Sequence, residues 1–134
     1  MKTISFFHDQ TLALEIWTRI LLDVRPESVD IIYLFGQTRD NQESVLGIGS
    51  ELWLANKNSI LLIGDGTILH GYPGYKIWMK ELVKRNVPSK SIKPLKIDGD
   101  LNTLTESAAL IKYTESLGKK NIIIVSSPFH QVRA

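Results

Sequence analysis

Asn121–Ala134 reads NIIIVSSPFHQVRA. Ile122 to Val125 are four apolar, β-branched residues in a row, the pattern of a strand buried on both faces of a parallel sheet. Ser126, Ser127 and Pro128 then read as a turn that opens a helix. A serine caps the first free N–H groups, and proline, which has no donor, is tolerated in the first turn. His130 and Arg133 stand three residues apart and share one face of that helix. Strand, polar turn and helix start is the arrangement in which α/β proteins bind ligands beyond the carboxyl ends of their strands. The plainer reading is a surface turn with two solvated polar residues, so the choice rests on the strand ends upstream.

Upstream, the same alternation repeats. Residues 9–23 place Leu12, Ile16, Trp17, Ile20 and Leu21 at helical spacing behind Asp9 as N-cap. Val29–Phe35 (VDIIYLF) is a first strand that runs into Gly36-Gln37-Thr38. Residues 42–56 form a helix with Val45, Ile48, Leu52 and Trp53 inward. Gly47 and Gly49 within it each cost about 1 kcal/mol relative to alanine, which points to close packing or a late helix start. Ser59–Ile63 is a second strand, closed by Gly64-Asp65-Gly66-Thr67. A helix over Tyr75–Asn86 turns Ile77, Trp78, Leu82 and Val83 inward, and Ile92–Ile97 is a short strand turned by Asp98-Gly99-Asp100. A further helix, Leu104–Leu117, ends at Gly118 before the last strand. The alternation predicts an α/β, three-layer domain over residues 1–134 with a mainly parallel central sheet. The chain stops about one turn into the helix that Pro128 begins, so the expectation is a sandwich truncated after its last strand, or a homo-oligomer in which a second copy covers that strand.

Composition narrows the functions. The 134 residues suffice for one real core, and the absence of cysteine excludes thiol catalysis, disulfides and thiolate metal sites. A net charge of +2 is too small to imply nucleic acid. It is uneven: residues 1–75 hold 5 Lys/Arg against 9 Asp/Glu, and residues 76–134 hold 11 against 5, a modest bias toward an anionic ligand in the second half. No apolar run reaches the roughly 20 residues a membrane span needs. Asp9, Glu15 and Arg19 interrupt any secretory core, so the expectation is a cytoplasmic protein with no membrane insertion.

Four strand ends supply the candidate site. Gly36, with Gln37 beside it, and the Gly64-Asp65-Gly66 turn permit close backbone approach, although neither is a G-x-G-x-x-G dinucleotide fingerprint. Asn102 and Thr103 cap a helix while offering side-chain hydrogen bonds to a ligand. Glu106 is either a ligand-facing carboxylate or the acid of a simple capping box, Thr103-x-x-Glu106. Arg133 suits bidentate capture of a carboxylate or phosphate, and His130 suits anion binding or proton transfer near neutral pH. His8, His70 and His130 lie far apart without a metal-ligand spacing, so no metal is expected. Asp98-Gly99-Asp100 reads as a turn, and Ser126 and Ser127 lack a nucleophile elbow.

These residues carry a resemblance. Asn102-Thr103 with Glu106, an apolar strand, then Ser127-x-x-His130-x-x-Arg133-Ala134 resembles the YdcF/SanA/ElyC-like family, a bacterial domain of unknown function. Val29–Gly36, Ile60–Gly66 and Gly71–Pro88 add to it, and it covers about residues 29–134. The resemblance implies a Rossmann-like sandwich with a pocket at the carboxyl ends of the strands. It also implies a small anionic, nucleotide-derived ligand such as S-adenosylmethionine or a nucleotide. In that reading Gly36, Gln37, Gly64, Asp65, Gly66, Asn102, Thr103, Ser127 and Arg133 bind the ligand, with Glu106 and His130 as the catalytic pair if there is turnover. Two other readings stay open: a transferase or hydrolase acting on a phosphorylated or lipid-linked cell-envelope precursor, and a non-catalytic regulatory module.

Overall fold

The computed structural model describes residues 12–14, 27–68, 71–119 and 121–127, and the structural statements below concern those residues. Their elements are β1 (Ile31–Leu34), α1 (Gln42–Ala55), β2 (Ile60–Thr67), α2 (Tyr75–Lys84), a 3-10 turn (Ser89–Ser91), β3 (Ile92–Asp100), α3 (Thr103–Leu117) and β4 (Ile122–Val125). The four strands form one sheet in the order β3-β2-β1-β4, and every pairing is parallel. A tight hairpin cannot join parallel neighbours, so each link between strands is a helical crossover.

Side chains alternate between faces along β1. Ile32 and Leu34 enter a core with Val45, Leu46, Leu52 and Trp53 of α1 and Trp78 and Leu82 of α2. Ile31, Tyr33 and Phe35 enter another with Leu62, Leu95, Ile97 and Leu110 of α3. Helices therefore lie on both faces of a parallel sheet, and the protein is an α/β, Rossmann-like three-layer sandwich.

The differences from the sequence reading have physical causes. Gly64-Asp65-Gly66-Thr67 and Asp98-Gly99-Asp100 are strand, because β2 and β3 pair through Gly64↔Leu95, Asp65↔Lys96 and Thr67↔Asp100 across a bulge. At that bulge a Cβ on Gly66 would lie 2.9 Å from the Ile97 carbonyl oxygen, so glycine marks close backbone approach within the sheet. Ile48, Ile77 and Val83, expected inward, are exposed. The buried positions of α1 run Val45, Leu46, Gly49, Ser50, Leu52, Trp53 and those of α2 are Trp78 and Leu82, so the three expected residues fall just off narrower stripes. Close packing is the correct account of Gly49, whose Cβ would sit 2.6 Å from Leu34 Cδ2.

The last strand is not buried on both faces. Ile124 is 44% exposed, because it shares the α3 face with Tyr33 while α3 lies over β3 at the far side of the sheet. Helix stops fall where expected: Asn86 and Gly118 take positive φ of 67° and 62°. Of the helix expected over 9–23, only Leu12–Leu14 is described; it is helical, with Leu12 exposed rather than inward. Trp17 and the turn opened by Pro128 lie outside the described residues.

Candidate functional site

From β1 the chain steps outward to β2 and β3, and α3 then carries it back to β4 on the other side of β1. The direction of winding reverses between β1 and β4, the position at which open α/β sheets bind ligands beyond their carboxyl ends. There the Phe35 N–H donates to the Val125 carbonyl at 3.0 Å. Gly36 and Gln37 continue one strand and Ser126 and Ser127 the other, with Gln37 and both serines buried.

The overhang of β2 and β3 beyond β1 sets the start of α3. The Leu101 N–H donates to the Thr67 carbonyl at 3.3 Å. Asn102 is the N-cap: its Oδ1 accepts from the Thr105 N–H at 3.0 Å, and Thr105 Oγ1 accepts from the Asn102 N–H at 3.1 Å. Thr105 Oγ1 also donates to the Asp100 carbonyl at 2.8 Å. The capping box is thus Asn102 with Thr105, and the Thr103–Glu106 box expected from spacing is wrong by one residue. One residue is about 100° of helix, so Glu106 leaves the cap and turns into the protein.

Glu106 is only 4% exposed. Its Oε1 accepts from the Tyr33 hydroxyl at 2.6 Å and from the Gly36 N–H at 3.3 Å. Oε2 receives no donor among the described residues. The carboxyl is therefore divided, one oxygen held by two donors and the other by none among the described residues.

Burial pushes the Glu106 carboxyl above its ordinary range, and the hydrogen bonds from Tyr33 and Gly36 pull it back in part. Burial, and then the negative charge of Glu106, push the Tyr33 phenol far above its usual value, so Tyr33 is the donor of the pair. Tyr72 shifts the same way, from burial and then from Glu106 and Asp65. The Tyr72 hydroxyl donates to the Gly64 carbonyl at 3.1 Å, and its ring stands edge-on to Trp78.

The expected site residues separate into groups. Gly36, Gly64 and Glu106 come together: a Cβ on Gly64 would lie 3.2 Å from both Glu106 Oε1 and the Tyr33 hydroxyl. The space beside Gly36 faces the Tyr72 ring. Gln37 and Ser127 flank the reversal point, and Asn102 and Thr103 start α3. Asp65 and Gly66 lie on the β2–β3 overhang, where Asp65 is held by Lys96 Nζ at 2.5 Å. His70, His130 and Arg133 lie outside the described residues. The sequence reading missed Tyr33 and Tyr72. A signal was present for Tyr33, since a phenol in the middle of a buried strand needs a hydrogen-bond partner.

Among the described residues no cluster of three or more His, Asp or Glu is arranged to hold a metal ion, and no helix is long and apolar enough to cross a membrane. No protein-family model matches the chain, and neither do curated proteins or solved structures.

Proposed function

We propose that the chain is a YdcF-like cytoplasmic protein that binds a small anionic, nucleotide-derived ligand, S-adenosylmethionine or a nucleotide, at the carboxyl edge of its sheet. The observation that carries this reading is Glu106, a buried carboxyl beside the β1–β4 reversal with one oxygen held by Tyr33 and Gly36 and the other taking no donor among the described residues. A carboxyl is costly to bury, and such groups cluster at functional sites. Gln37 and Ser127 flank the bound molecule. By the motif resemblance, His130 and Arg133 take its anionic group. Calorimetric titration with S-adenosylmethionine, ATP, ADP and AMP tests the reading. Saturable binding of at least one, weakened in Glu106→Gln, is expected; no binding across the panel overturns it.

The raised proton affinity of Glu106 favours a second reading, a transferase or hydrolase acting on a phosphorylated or lipid-linked envelope precursor. Glu106 and His130 would then exchange a proton with the substrate. Turnover of a prenyl-diphosphate-linked sugar that vanishes in Glu106→Gln selects this reading. Exposed Ile124 on the edge strand β4 supports a homo-oligomeric contact there, which a concentration-dependent mass detects.

A further inference from the structure

Tyr33 lies at the middle of β1 with no exposed surface, inside a run of apolar residues where phenylalanine would fill the same space. A buried hydroxyl is costly unless it is bonded. This one makes a 2.6 Å bond to Glu106 Oε1, the short geometry of a charge-assisted contact. The Gly36 N–H goes to the same oxygen at 3.3 Å. The ring is itself fixed, edge-on to Phe35 with centroids 4.9 Å apart. Gly64 leaves the room that the pair occupies, for a Cβ there would press on both oxygens at 3.2 Å. Tyr33 of β1, Gly36 just beyond it and Gly64 of β2 thus converge on one oxygen of a carboxyl that belongs to α3.

We propose that Tyr33 is a positioning residue: by holding Oε1 of Glu106 it presents Oε2 at the carboxyl edge as the acceptor for a sugar hydroxyl of the ligand. This rests on the nucleotide-derived reading above. A carboxylate repels the anionic part of such a ligand, so the group it takes is a hydrogen-bond donor. Both nucleotides and S-adenosylmethionine carry one in their ribose. The clamp also opposes the effect of burial and so favours the ionised carboxyl, the form that accepts.

Tyr33→Phe keeps the ring and removes only the hydroxyl. The first readout needs no ligand: the carbon-13 titration of the Glu106 carboxyl, assigned by the signal lost in Glu106→Gln. Proton affinity should rise about tenfold or more in Tyr33→Phe, the equivalent of 1.36 kcal/mol for each factor of ten. A merely space-filling tyrosine leaves that titration where it was, and an unchanged titration overturns the clamp. The second readout is calorimetry with adenosine 5′-diphosphate and its 2′,3′-dideoxy analogue. Wild type should prefer the diphosphate with its hydroxyls by about tenfold. Tyr33→Phe should lose that preference while binding the dideoxy form as wild type does. Equal binding of the two by wild type overturns the sugar contact and leaves the nucleotide reading standing. Failure of the diphosphate to bind overturns the sugar contact as well, and only failure of the whole panel removes the nucleotide reading. If the variant does not fold, wild type decides the clamp alone. A downfield Tyr33 hydroxyl proton that moves as Glu106 titrates supports it, and its absence overturns it.

Discussion

Leu34 and Tyr33 are neighbours on one strand and face opposite layers. On the α1–α2 side, Leu34 meets the backbone of Gly49, and its surroundings are apolar side chains packed without a gap for one more methyl group. On the α3 side, Tyr33 donates to one oxygen of a buried carboxyl, and the second takes no donor among the described residues. The first layer is mostly apolar, and buried polar groups in it such as the Tyr72 hydroxyl and the Trp53 indole N–H are neutral and bonded to backbone carbonyls. The second holds an ionisable carboxyl at the carboxyl edge, and it is the layer in which a site is expected.

The comparison is broken most forcefully at Leu34. Leu34→Ala should cost about 2–5 kcal/mol, the range for emptying a fully buried position. Denaturant titration checks it. A cost below about 1 kcal/mol would show that α1 collapses onto the strand and that this layer is not closely packed.

On the other layer the expected effect depends on pH. Glu106 has its proton affinity raised on folding, so the folded state binds more protons than the unfolded chain between the ordinary carboxyl value of 4.5 and the raised one. Its contribution is fully present below that ordinary value and is lost as pH rises through the folded one. Within the window the slope is at most about 1.36 kcal/mol per pH unit. Glu106→Gln should remove this decline, as melting temperatures across the window would show. A wild type that gains stability with rising pH relative to Glu106→Gln would mean that the Tyr33 and Gly36 bonds outweigh burial.

The two layers also differ in how legible they are. The strands were readable because Ile31–Leu34, Ile60–Ile63 and Ile122–Val125 are dense in apolar residues, and the crossovers followed from their spacing. The length of β2 and β3 was not, since Gly64-Asp65-Gly66 and Asp98-Gly99-Asp100 carry turn chemistry. Only their mutual pairing across the bulge keeps them extended. Glu106 was visible as a candidate, yet its role depends on whether the cap falls at Asn102 or Thr103, a single-residue choice that turns it by about 100°. Tyr33 was legible as a buried phenol that needs a hydrogen-bond partner, but that partner, Glu106, lies 73 residues away, and the burial pattern does not name it.

A sharper probe of the apolar layer uses two glycines two residues apart on α1. Nothing lies within 4 Å of a Cβ on Gly47, so Gly47→Ala should stabilise by about 1 kcal/mol through helix propensity alone. Gly49→Ala has the same propensity gain but must displace Leu34 Cδ2 at 2.6 Å. Overpacking costs about 1–3 kcal/mol, leaving a net loss of about 1 kcal/mol. Leu34→Val beside Gly49→Ala should recover part of it, a non-additivity that a double-mutant cycle reads directly.

The smallest effect is expected at the Asp65–Lys96 pair, which lies across the overhang between β2 and β3. The two side chains are 34% and 77% exposed, so water and salt screen their attraction. Lys96→Gln should therefore change stability by about 0–1 kcal/mol, less as salt is added. The pair matters because Asp65 was a candidate ligand residue, and a carboxylate already held by a lysine has a structural reason to be there. If the pair only ties the overhang, Asp65→Asn and Lys96→Gln lose similar small amounts of stability and both leave nucleotide affinity unchanged. If Asp65 instead serves the ligand, Lys96→Gln frees it, and affinity changes with little effect on the melting temperature. The overhang anchors α3 through Thr67 and Asp100, so a third pattern is informative as well. Joint loss of affinity and stability would mean that the pair holds the frame on which Glu106 depends. Calorimetry and thermal melts on the two single variants, at low and high salt, separate the three.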